Sequence, residues 1–295
     1  MSSPIFRRAA RYGLRQRTAM ATGQAIKAVV PMLDARHRVY AGNIARRMIA
    51  CAVTQNMRVV TPNDDATRIV CTNTRACRIR ICAQCEYRRS CQMRRKLVRM
   101  FDQVWVSYPH ARALLVGLST KNMPILQTRT MLKLHNAALA RFWKLKRITS
   151  QTLGQFTSIE LALRGTHDNP EAGVHSHSVV FVPPTYFANG PAIWQPELRD
   201  LWQASARLDY QPIVDVRLIQ SPDGANDRDA VAASCIECAK YIVSSETLFQ
   251  HDNGHIHVDG RVALAIIAAF RNVRTYRFDR CFSEAAKAIR ISDPV

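Results

Sequence analysis

Two apolar runs, GQFTSIELALR (154–164) and VHSHSVVFVPP (174–184), are joined by nothing more than the polar stretch GTHDNPEAG. A linker of that length and composition is a hairpin signal, so the two runs are expected to pair as antiparallel strands. Around them strands and helices alternate. ALLVGLST (113–120) reads as a strand, 127–147 as a basic helix with Leu132, Leu139, Phe142 and Leu145 on its apolar side, 196–208 as a helix, and PIVDVRLIQ (212–220) as a strand. A further helix runs from about Asp227 to Val243. The pattern predicts an α+β fold whose neighbouring strands are antiparallel, without internal repeats or low-complexity segments.

Charge is distributed unevenly along the 295 residues. Residues 1–100 carry 21 Lys and Arg against four acids (Asp34, Asp64, Asp65, Glu86), a net +17 of the chain's +20. One third of the chain is therefore an electrostatic handle for a polyanion such as nucleic acid. This sets the expected organisation: a basic N-terminal region, 1–100, and a second domain, 101–295. The longest apolar run, VALAIIAAF (262–270), is about half of a membrane span, so no membrane partner is expected. The first residues lack the apolar core of a secretory signal, whereas a transit peptide stays open because nothing acidic precedes Asp34.

Nine cysteines without a secretory signal argue for reduced thiols and metal ligands rather than disulfides. Cys71, Cys77, Cys82 and Cys85 follow a C-x5-C-x4-C-x2-C spacing, and the Cys82/Cys85 pair has the form of a zinc knuckle. Cys91 competes with Cys71 for the fourth position. A structural zinc ion there would present Arg78, Arg80, Arg88, Arg89, Arg94 and Arg95 to phosphates. The pair Cys235 and Cys238 has redox-motif spacing but sits in a helical pattern and is read as packing.

The strand after the hairpin turn opens with His175 and His177. Residues two apart share a face of a strand, so the two rings project side by side. Glu160, on the partner strand, can bring a carboxylate to the same face. Two imidazoles and a carboxylate with open positions suit Mg²⁺ or Mn²⁺ holding a phosphate, or Zn²⁺ in a hydrolase. Downstream, Glu237 and Tyr241 are one helical turn apart, with Lys240 adjacent.

In order and spacing, CRIRICAQCEYRRS, HSHSVVFVPPTYF, LDYQPIVDVR and ECAKYIVSS resemble the plasmid rolling-circle replication initiators, the Rep proteins of the HUH endonuclease superfamily. The resemblance runs from about Tyr40 to the C-terminus. It implies an HUH-type antiparallel sheet flanked by helices, preceded by the basic zinc-binding segment (71–91), in a metal-dependent single-strand DNA endonuclease and strand transferase. In such proteins the histidines and an acid bind a divalent cation. A tyrosine on a later helix nicks the origin, keeping the 5′ phosphate and freeing a 3′ hydroxyl primer. Carried over, the ligands are His175, His177 and Glu160, the nucleophile is Tyr241, and Glu237 is the base that ends a round by hydrolysis. Origin DNA, duplex and single-stranded, a host helicase and a DNA polymerase are the implied partners, in a bacterial cytoplasm. Ser176 departs from the bulky residue that the signature places between its histidines. His255-Ile256-His257 fits that signature better, but it is boxed between Asn253-Gly254 and Asp259-Gly260, which predicts a short hairpin arm. Two other readings stand beside this one: a non-catalytic, zinc-stabilised DNA-binding protein, and a relaxase or transposase of the same superfamily.

Overall fold

A computed structural model describes residues 4–51, 56–60, 68–72, 75–166, 168–188, 190–220, 228–238, 248–252 and 255–289. They divide into two compact units, one drawn from 1–88 and 245–268, the other from 89–244 and 269–295. In chain order the first unit holds α1 (Pro4–Val29), α2 (Ala35–Ile49) and an antiparallel pair, β1 (Asn56–Val60) with β2 (Arg68–Thr72). Asp34 starts α2 as its N-cap, its carboxylate accepting the Arg36 and His37 amides. The α1–α2 hairpin closes tightly at Gly23, where a Cβ would stand 2.9 Å from the Ala45 carbonyl oxygen, so only glycine allows that crossing. Helix α3 (Ala83–Ser107) begins in this unit and ends in the second.

The second unit is built on β3 (Arg112–Ser119), the two-residue β4 (Met123–Pro124), α4 (Thr128–Phe142), a short α5 (Lys146–Thr149), β5 (Gly154–Gly165) and β6 (Pro170–Val182). It continues through α6 (Gln195–Ala206), β7 (Val214–Ile219) and α7 (Arg228–Cys238). The chain then returns to the first unit with the β8 (Gln250–Asp252) and β9 (His255–His257) pair and α8 (Gly260–Ala269). It ends in the second with β10 (Tyr276–Arg280) and α9 (Cys281–Ala288). The expected α+β class and the β5–β6 hairpin are both present. The basic helix is shorter than its pattern: α4 stops at Phe142, and Leu145 instead caps α5. β10, an edge strand of only five residues, has no counterpart in the sequence reading.

The main sheet has the order β10–β5–β6–β3–β7, every pairing antiparallel, with β4 also on β6. Alternation along β6 divides its side chains between two faces. Val179 and Phe181 face a core made with Met93, Leu97, Met100, Phe101 and Val104 of α3, Val231 and Cys235 of α7, and Phe282 of α9. The three-and-four spacing of those α3 residues is what turns one stripe of a very basic helix to the sheet. On the other face, β6 meets α4, and α6 packs on α4 and β7. His135 Nε2 lies 3.1 Å from Ser176 Oγ, Trp202 donates its indole N–H to the Ser119 carbonyl, and the His135 and Phe142 rings meet Trp202 edge-on. Among the described residues no helix is long and apolar enough to cross a membrane.

Phe181 is fully buried, edge-to-face with Phe101, Trp105 and Phe282. Phe181→Ala is expected to cost about 3–5 kcal/mol of stability through the cavity it leaves, read as a lowered denaturation midpoint in urea.

Candidate metal and nucleic-acid sites

The β5–β6 register places Glu160 directly opposite His175, and Ser158 opposite His177. All four lie on the face that carries Val179 and Phe181, but toward the end of β6 that the core leaves partly open. Glu160 Oε2 is 3.4 Å from His177 Nε2, and both side chains are about two-fifths exposed (37% and 42%). His175 sits deeper. Its burial, then the neighbouring His177, push its pKa below the ordinary value, and Glu160 opposes them. A neutral imidazole is the form that can ligate a cation, and two imidazoles with a carboxylate are the donor types of a divalent-ion site, although the ligand atoms of Glu160, His175 and His177 do not all lie within 4.8 Å of one another. The next strand adds room: Gly117 stands opposite His177, with Asp215 opposite Gly117 in turn. Asp215 accepts from Arg217 at 2.9 Å.

Tyr276 shares the row of His177, two strands away: it pairs with Ser158 and stacks on Phe156 at 6.1 Å. Helix α7 lies on the same face through Val231 and Cys235. Glu237 belongs to its last turn, but its side chain, Lys240 and Tyr241 lie outside the described residues. Cys235 is buried as the sequence suggested, its thiol pKa pushed up by burial, and Cys238 packs against the same core. The second histidine pair stands on the β8–β9 hairpin, in the other unit from His175.

The cysteine cluster is tighter. Among the described residues the one set whose ligand atoms all lie within 4.8 Å of one another is Cys51, Cys77, Cys82 and Cys85, all buried. Cys51 Sγ is 3.6 Å from the sulfurs of Cys82 and Cys85, and Cys77 Sγ is 3.5 Å from that of Cys85. Four sulfurs at about 2.3 Å around a tetrahedral zinc would be separated by about 3.8 Å, so the cluster could hold such a metal. Left-handed backbone at Arg78 (φ 58°) and Ile81 (φ 58°) folds the Cys77–Cys85 loop around it, and the Arg78 amide donates to Cys85 Sγ at 3.3 Å. Cys85 is held strongly down by the thiols of Cys51, Cys77 and Cys82, whereas hydrogen bonds with the other sulfurs push Cys82 up. A cation at the centre would let all four become thiolates.

Three of the four expected zinc ligands, Cys77, Cys82 and Cys85, are thus brought together, and among the described residues Cys51 is the fourth member of the cluster. Cys71 stands in β2 with its side chain outside the described residues, and Cys91 is half-buried in α3. Cys51 was missed because 26 residues separate it from Cys77, far beyond knuckle spacing. The only local hint was a half-buried helix followed two residues later by a cysteine. Of the six arginines, Arg78 and Arg95 are exposed and Arg80, Arg88, Arg89 and Arg94 are half-buried.

A family model described as Replication protein matches residues 68–294. A Protein rep from Lentilactobacillus hilgardii is 28% identical over 233 residues, covering 78% of this chain and 71% of the relative. A Protein rep from Lactiplantibacillus plantarum is 29% identical over 182 residues (60% and 56%), and one from Streptococcus pneumoniae is 24% identical over 206 residues (68% and 60%). The chain therefore spans just over half to about seven-tenths of the length of these relatives. No solved structure matches it significantly.

Cys51→Ser is expected to release the metal from purified protein, with elemental analysis falling from near one equivalent toward zero, while Cys71→Ser and Cys91→Ser retain it.

Proposed function

The chain belongs to the Replication protein family, and on that premise we propose that it is a plasmid rolling-circle replication initiator that nicks one strand of its origin through a single tyrosine. The supporting observation is the register of β5 and β6, which gathers Glu160, His175 and His177 on one sheet face, with α7 packed on that face as well. The last described residue of α7, Cys238, is three residues before Tyr241. The intervening chain reaches at most about 11 Å. Tyr241 is the proposed nucleophile.

A Mg²⁺ or Mn²⁺ ion held by His175, His177 and Glu160 would polarise the scissile phosphate and neutralise its charge. The chain's own groups do the rest. Free tyrosine, with a pKa near 10, is a weak nucleophile at neutral pH, and Lys240 beside it favours the phenolate. Tyr241 Oη bonds to phosphorus as the bond to the 3′ oxygen breaks. The 5′ phosphate stays on the enzyme, and the 3′ oxygen takes up a proton to become the primer hydroxyl. After one circle is copied, that tyrosine is already consumed at its first phosphate. Glu237, four residues earlier in the chain, then takes a proton from water that attacks the regenerated junction, or the strand is transferred. The basic N-terminal third is the proposed duplex-binding region, with zinc at the cysteine cluster as a structural ion. A host helicase and polymerase, in a bacterial cytoplasm, would extend the primer.

On single-stranded origin DNA with Mn²⁺, wild type is expected to give a covalent adduct on a denaturing gel, and Tyr241→Phe none. An undiminished adduct from Tyr241→Phe would move the assignment to Tyr276, which shares the row of His177. Glu237→Gln should form the adduct normally but hydrolyse the regenerated junction about 10²- to 10⁴-fold more slowly, giving products longer than one unit. His175→Ala should abolish nicking and leave duplex binding in place, whereas equal loss of both would favour a non-catalytic DNA-binding protein.

A further inference from the structure

On the side of the sheet away from His175 and His177, a cavity of about 370 Å³ opens between α4, the residues that follow β3, and the turn after α6. That volume lies within the range of small-ligand pockets and can take a single base. Its wall includes Met131, Ala138 and Tyr210, with Leu134 two-thirds exposed at the mouth. Two cations, Lys121 and Arg207, and one carboxylate, Asp209, stand around it. Lys121 Nζ lies 3.9 Å from the centroid of the Tyr210 ring, its amide donates to Tyr210 Oη at 2.8 Å, and the left-handed residue that ends α6 is Arg207 (φ 55°). An aromatic and apolar wall under a rim of net positive charge is what a stacked base attached to a phosphate requires.

His135 also lines the cavity, its ring almost wholly buried (1% exposed). Its Nε2 lies 3.1 Å from Ser176 Oγ, and that hydroxyl also lies 3.4 Å from the Leu118 carbonyl oxygen. Burial, then the charges of His175 and Arg277, holds this ring neutral, its pKa lowered to about 3.

The cavity adjoins the cation site around the sheet edge. Thr120, in the wall, donates its amide to the Val174 carbonyl at 3.2 Å. Two residues on, the Asn122 carboxamide fills a notch over Gly173. A Cβ on that glycine would stand 2.4 Å from Asn122 Oδ1 and 3.3 Å from His175 Nε2. Residues 120 to 123 therefore link the cavity lining to the surroundings of His175.

We propose that this cavity binds one nucleobase of single-stranded DNA, swung out of the strand whose phosphate lies at His175 and His177, with Tyr210 stacking on it. The inference rests on the nickase reading for the identity of the strand, but base binding itself needs no cleavage. The test uses the full chain in EDTA with labelled short oligo(dA) and oligo(dC), and abasic strands of the same length, followed by fluorescence anisotropy. Wild type should bind the base-bearing strands about tenfold more tightly than the abasic ones, the size of one stacked base. In Tyr210→Ala, and in Ala138→Leu, which fills the cavity, that ratio should fall to about one while the far-ultraviolet circular dichroism is unchanged. A ratio that persists in both variants, or is absent from wild type, overturns the proposal. Displacement of the strands by free deoxynucleoside monophosphate at equal concentration would overturn the strand as the source of the base. If wild type shows the base-dependent ratio but gives no adduct with Mn²⁺ on origin DNA, the nickase reading has failed and the base pocket has not.

Discussion

The antiparallel register of β5 against β6 is the constraint on which the second unit depends. It sets Glu160 against His175 and, along the same pair of strands, Phe156 against Val179. The first pairing makes a cation-binding face and the second makes core. Because side chains alternate with period two, a slip of one residue would carry His175 and His177 to the α4 side and bring Ser176 out in their place. Such a slip would also remove Val179 and Phe181 from the apolar contacts of α3, α7 and α9. The burial of two residues near one end of β6 therefore fixes the position of the imidazoles at the other, and the weak chemistry of the site rests on the strong packing beside it.

What was legible in the sequence follows from that dependence. The hairpin could be read because its strands have regular alternation and its linker is short and polar. Glu160 could be read as a ligand because a hairpin restricts which residues face one another. β10 was not legible: YRFDR has five residues, two of them arginine, and is a strand only because Tyr276 and Phe278 stack on Phe156. Cys51 was hidden for a different reason. A thiolate cluster is closed by tertiary approach, and spacing rules see only ligands carried on one loop. Ser176 looked like a defect in the histidine motif when read along the chain. In three dimensions it is the partner of His135, a residue that no local pattern connects to it.

The first unit solves a different physical problem, since its 88 N-terminal residues concentrate positive charge that repels itself. The cost is reduced by placing Arg11, Arg17, Lys27, Arg36, Arg38, Arg46 and Arg47 on exposed helix surface while α1 and α2 close through small residues such as Ala19, Gly23, Ala41 and Ala45. Four buried sulfurs then supply a compact anchor where the apolar residues are few, and a dication among them would replace a sizeable hydrophobic core as the source of local order.

Strand β6 carries different chemistry on its two sides. Toward α7 it offers imidazoles to solvent, and toward α4 it offers a hydroxyl to a histidine sealed from water. One backbone holds both, and there is no insulating layer between them. A displacement of this strand by a fraction of an ångström therefore cannot be local to one side. Whatever tightens around Ser176 is felt by its two neighbours, so the segment from His175 to His177 behaves mechanically as a short rocker, and replacements that look conservative on one face are heard on the other.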